Sequence, residues 1–165
     1  MPAEQPDPDR LADVVVHLVR LAGEGAAVSY RALEPVALLL AQEGRLAADL
    51  LSFGSDYDLS VASHEIRRGF SRAYDGGRLK ADSQTVWLGA GESRLLLEPC
   101  YADDARRAQE LFALDLESLL TLARPILLEW RERRERWARG DFQIVPPGPR
   151  QRLSAEAEQG GLRGL

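Results

Sequence analysis

An amphipathic segment that carries arginines and runs straight into Gly76-Gly77 and two short β-prone runs constrains this chain more than any other feature. On a helix opening near Ser63, the residues Ala62, Ile66, Phe70, Ala73 and Tyr74 fall on one stripe, because helical neighbours recur three and four positions apart. Ile66, Phe70 and Tyr74 are therefore expected inward, and Arg68 and Arg72 outward. Gly76 and Gly77 can end the helix in a left-handed conformation that other residues resist. Arg78 to Ala81 and Gln84 to Leu88 then read as a hairpin around Asp82 and Ser83.

The flanking segments supply the rest of a small α+β unit. Asp7 and Pro8 form an N-cap and first-turn pair, and Leu11, Val14, Val15, Leu18, Leu21 and Ala22 make one apolar face before Gly23. Ala26 to Tyr30 is β-prone. Pro35 opens a helix through Gln42 whose leucines Leu38, Leu39 and Leu40 surround much of its circumference, so it belongs at the centre. A break at Gly44 keeps Glu43 off the apolar stripe, and a further short helix is expected from Arg45 to about Leu51, followed by a loop to Asp58. Arg94 to Glu98 reads as a leucine-rich strand that joins the hairpin as a third strand, with Gly89-Ala90-Gly91 as the turn before it. Asp103 or Asp104 caps a helix through Phe112. A longer helix opens at Asp115 and reaches Arg139, roughly 35 Å at 1.5 Å per residue, with a kink expected at Pro125.

Composition narrows the function classes. The chain has 165 residues, 45% hydrophobic and 28% charged, with a net charge of −5. That is the composition of an ordinary globular protein, and no apolar run approaches the roughly 20 residues that cross a bilayer. The acidic, proline-containing start lacks the basic flank and apolar centre of a signal peptide, so the cytoplasm is the expected compartment. One cysteine, Cys100, and two histidines, His17 and His64, cannot build a cysteine-rich zinc site. Cys100 is expected to be a buried small residue and His17 a boundary residue. Neither metal nor cofactor is expected.

The positive charge is almost all arginine, with Lys80 the single lysine. Two segments are net +3 within the acidic chain: Glu65 to Lys80 and Arg131 to Arg139. The element order of helix, short strand, two helices, arginine-bearing helix and hairpin is that of a winged helix. In such a fold Ser63, Arg67, Arg68, Ser71 and Arg72 would face the major groove of double-stranded DNA, and Arg78 and Lys80 would reach phosphates from the wing. The alternative is a solvated helix face on a protein-interaction module with no nucleic-acid role.

The run Leu33 to Leu40, with Phe53, Tyr57, Ser63, Ile66, Ala73, Gly77, Arg78 and Leu79, resembles winged-helix proteins of the Panacea antitoxin and prophage-adaptor type. The resemblance covers Leu33 to Leu88, about a third of the chain. The group's Gly-Pro-Tyr/Phe loop signature is replaced here by Gly54-Ser55-Asp56-Tyr57-Asp58. It implies a regulator or adaptor without catalysis.

That same loop echoes the Gly-Ser and Asp-x-Asp elements of nucleotidyltransferases, in which Asp56 and Asp58 would share Mg²⁺ with a third carboxylate, Glu98 being the one candidate. The two elements overlap here and leave no room for a phosphate-binding helix, so an Asx-rich loop is the stronger expectation. Three regions are expected: a winged-helix-like core at 1–100, a C-terminal helical pair at 101–140 that can dimerise, and a flexible tail at 141–165. A homodimer through Leu120, Leu127, Trp130 and Trp137 is expected because the long helix carries more apolar surface than one short neighbour covers.

Overall fold

A computed structural model of the chain describes residues 5–55 and 60–139. Six α-helices and five short strands appear among the described residues. Helix α1 (Pro8–Leu21) begins where Asp7 accepts a hydrogen bond from Asp9 N at 3.1 Å, and Gly23 at φ 112° turns the chain away from it. Strand β1 (Val28–Ser29) passes through a 3-10 turn into α2 (Leu33–Gln42), all of whose residues but Glu34 are buried. The leucines around its circumference thus have neighbours on every side.

Gly44, at φ 76°, closes α2. The helix expected over Arg45 to Leu51 is only a 3-10 turn at Ala48–Leu50, since Arg45 reaches away to Asp103 and Asp104. Strands β2 (Gly54–Ser55) and β3 (Val61–Ala62) pair antiparallel and bracket the Asp56 to Asp58 loop, which lies outside the described residues.

Helix α3 (His64–Asp75) is capped by Ser63, whose Oγ accepts from Ile66 N. Ile66, Gly69 and Ala73 form its buried side. Gly69 marks the closest approach: a Cβ there would lie 2.4 Å from the Leu11 carbonyl oxygen. A mid-helix glycine carries a propensity cost, and here it lets α1 cross α3 backbone against backbone.

Gly77 at φ 76° leads into β4 (Leu79–Ala81), and Asp82 turns the chain into β5 (Thr85–Leu88). The Asp82 carboxylate accepts from the amides of Gln84 and Thr85 at 2.8 and 2.7 Å, which holds its pKa below the usual carboxylate range. The sheet order is β1-β5-β4, with Val28 opposite Val86 and Leu79 opposite Leu88.

The third strand is therefore β1, and the strand expected at Arg94–Glu98 does not form. Both edges of β5 are occupied by β1 and β4, so the later segment finds no open ladder beside it. Gly89 instead caps a one-turn helix, α4 (Ala90–Ser93), and the chain continues as an irregular strap to a 3-10 turn at Pro99–Tyr101. Cys100, expected inside, is exposed on that turn.

Helix α5 (Ala102–Phe112) and helix α6 (Leu116–Ala138) complete the chain's described part. Asp115 accepts from Ser118 N at 2.8 Å as the opening cap of α6, which runs through Pro125 without interruption. Their inward residues, Ala105, Ala108, Leu111, Leu119, Ala123 and Leu127, merge with those of α1 and α2 in one core. The helical pair is part of the same packed unit.

Candidate interaction face

The outward side of α3 is where the sequence places the candidate nucleic-acid residues, and the crossing with α1 decides their surroundings. Asp9 and Asp13 flank Leu11, the α1 residue that meets Gly69, so both carboxylates stand over the arginines. Arg72 Nε donates to Asp9 Oδ1 at 2.8 Å, and Arg78 Nη1 donates to Asp13 Oδ1 at 2.7 Å. Arg78 Nε also donates to Glu92 Oε1 at 2.7 Å, and the same carboxylate accepts from Arg20. Arg67 Nε donates to Glu34 Oε1 at 3.1 Å. Arg68, half-buried, donates to Gln5 Oε1 at 2.9 Å.

These pairs shift the titration of Arg72, Arg78 and Glu92. The hydrogen bond to Asp9 raises the Arg72 pKa. Burial alone would lower that of Arg78, but the hydrogen bonds to Glu92 and Asp13 outweigh it and raise it. Burial likewise works against the Glu92 charge, yet Arg78 and Arg20 together hold its carboxyl below the ordinary range.

Several expected site residues sit differently from their expected place. Ser63, expected on the outward face, is 1% exposed, because its hydroxyl caps α3 and its amide donates to Glu34. Tyr74, expected inward, is 48% exposed, since the α1 crossing at Gly69 turns the buried side of α3 toward Ile66 and Ala73. Ser71 is exposed. Lys80 is exposed on β4 and has no ion pair among the described residues.

Sequence periodicity does not reveal the aromatic step that borders this face. Tyr30, just after β1, meets Phe70 edge to face at 5.0 Å, and Phe70 stacks on Tyr74 at 5.9 Å. Tyr30 is 41% exposed, so two tyrosines flank one half-buried phenylalanine at the surface. The only sequence signal was Phe70 and Tyr74 at i, i+4 on a helix that lacks a bulky residue at position 69.

Three of the four residues expected at a dimer interface are core residues of this chain. Leu120, Leu127 and Trp130 are buried, Trp130 Nε1 donates to Gln42 Oε1 at 2.6 Å, and its ring meets Phe53 edge to face at 5.2 Å. Helix α6 packs this stripe onto α2 and the β2-β3 ribbon rather than onto α5, so more surface is covered than the short helix could supply. The side chain of Trp137 lies outside the described residues.

For the enzyme alternative, Asp56 and Asp58 lie outside the described residues, and Glu98 is exposed at the start of the 3-10 turn. Among the described residues no group of three His, Cys, Asp or Glu side chains is placed to hold a metal ion, and no helix is long and apolar enough to cross a membrane. Comparison with known proteins finds no matching family model, no similar curated protein and no matching solved structure.

Proposed function

We propose that the chain is a non-catalytic interaction adaptor that meets a partner protein through the outward face of α3 and the aromatic step beside it. The observation that carries this is the internal pairing of the arginines: Arg67, Arg72 and Arg78 each face a carboxylate of the same chain. Duplex affinity comes from net positive charge that releases counterions, and a paired arginine brings little of it. Surface tyrosines beside arginines, in contrast, are the side chains that anchor protein interfaces.

A second reading, a DNA-binding regulator, keeps one support. The order α1, β1, α2, α3, β4, β5 with β1 beside β5 suits a winged-helix-like core. The ion pairs to Asp9 and Asp13 are exposed and individually weak, so phosphate could compete for those arginines.

Titration of a mixed-sequence DNA duplex at low ionic strength separates the two. The adaptor role predicts no binding there, and a photo-crosslinker at position 74 in cells that trapped a discrete protein adduct, with none from position 128. Salt-dependent duplex binding that falls when Arg67 and Arg72 become alanine would replace the adaptor by the regulator, and no adduct from position 74 would overturn the adaptor.

A further inference from the structure

The strap between α4 and the 3-10 turn is the least expected surface in the molecule. Leu97 packs against the core, but Leu95 is 59% and Leu96 87% exposed. The strap is nevertheless held at both ends. Glu92, just before it, receives Arg20 and Arg78, and Tyr101, just after it, lies edge to face on His17 at 4.6 Å. Two exposed leucines on an anchored segment cost apolar hydration in the isolated chain, and such patches mark contacts.

Beside them is a groove of about 250 Å³ with Leu21, Leu88, Leu97 and Ala105 in its wall and Glu24 and Gln109 among its polar groups. Leu95 and Leu96 stand in the same wall. Removal of one buried leucine side chain opens a cavity on the order of 150 Å³, so the groove has room for a leucine from outside. A knob and a hole side by side on one patch are self-complementary under a two-fold axis: each copy's knob meets the other's hole.

Charge supports the same pairing. Arg94, beside the knob, and Glu24, beside the hole, are oppositely charged, and neither has an ion pair among the described residues. A two-fold axis through this patch would bring each Arg94 toward the other's Glu24.

We propose that the strap Arg94–Glu98 and the adjoining groove form the interface of a homodimer, with Leu96 of each copy seated in the groove of the other. This face is separate from the aromatic step on α3, so the dimer and the adaptor role stand or fall independently. Leu120, Leu127 and Trp130, expected at such an interface, are buried in the chain's own core and have no part in it.

Sedimentation of the full chain between about 1 and 200 μM tests it, since a small interface of this kind gives a micromolar dissociation constant. The mass is expected to rise from 18.3 kDa to twice that value across the range. Leu96→Glu should weaken association at least about tenfold while leaving the circular dichroism and melting of the monomer unchanged, because that side chain is already in water. Leu128→Glu, on the exposed face of α6, should leave association intact. Arg94→Glu and Glu24→Arg should each weaken it, and the double variant should recover most of the loss, a result that general misfolding cannot produce. A single-chain mass throughout, an unaffected dimer in Leu96→Glu, loss in Leu128→Glu, or no recovery in the double variant would overturn the proposal.

Discussion

Two leucine-rich segments exchange the roles that their sequences suggest. Helix α6 reads as a surface element with an apolar stripe to spare, and the structure buries Leu119, Leu120 and Leu127 inside its own chain. Arg94 to Glu98 reads as the third strand of the small sheet, and the structure leaves Leu95 and Leu96 in solvent. Both are rich in leucine. The difference lies in whether a neighbour is available: α6 finds α2 along one side, whereas the strap arrives at a sheet whose central strand already has β1 and β4 on its two edges. Apolar sequence states what a segment would gain from burial, and the topology decides whether the burial is on offer.

Substitutions on either side of this contrast should differ most in stability. Trp130→Ala removes a buried ring from the α2, β2-β3 and α6 junction and should cost about 3–5 kcal/mol in denaturant unfolding, against less than about 0.5 kcal/mol for Leu96→Ser at concentrations where the chain is monomeric. Equal effects from the two would erase the distinction between the segments.

Gly69→Ala probes the α1–α3 crossing that sets the arginine pairing. The added methyl meets the Leu11 carbonyl, and the helices must separate, with an expected loss of about 1–3 kcal/mol. The variant should also free Arg72 and Arg78 from Asp9 and Asp13, so duplex binding that appears only in Gly69→Ala would sharpen the link between the crossing and the paired arginines.

A smaller effect is expected for Gln42→Leu. Trp130 Nε1 would keep its burial and lose its acceptor, and an unsatisfied buried donor costs about 1–3 kcal/mol, partly offset here by the apolar replacement. Near-ultraviolet circular dichroism should report the altered tryptophan environment.

The smallest expected effect is a pH dependence at the strap's anchor. The Glu92 carboxyl titrates lower in the folded chain than its ordinary 4.5, so its ion pairs contribute fully above that pH and are lost as pH falls through the lower folded value. Wild-type melting should therefore drop more steeply below about pH 4.5 than that of Glu92→Gln, whose melting at neutral pH should be lower. His17 has the same sign for a different reason: burial, then Arg20, lowers its pKa below 6.5, and protonation in acid opposes folding. Parallel pH profiles for wild type and Glu92→Gln would mean that the clamp does not hold the strap.

Local chemistry in the sequence determined the elements whose ends carry a specific residue. Asp7 with Pro8, Ser63, Gly77 and Asp115 place the ends of α1, α3 and α6, because a cap or a left-handed turn is satisfied within a few residues. The hairpin around Asp82 was legible for the same reason, and the central position of α2 followed from apolar residues around its whole circumference. Tertiary structure alone decided the rest. Which strand lies beside β5, whether Tyr74 or Gly69 faces α1, and whether Arg72 meets solvent or Asp9 all depend on segments tens of residues apart in the chain. Helical period assigns a residue to a face, but only packing assigns that face a neighbour, and at α3 and the strap the neighbour changed the chemistry.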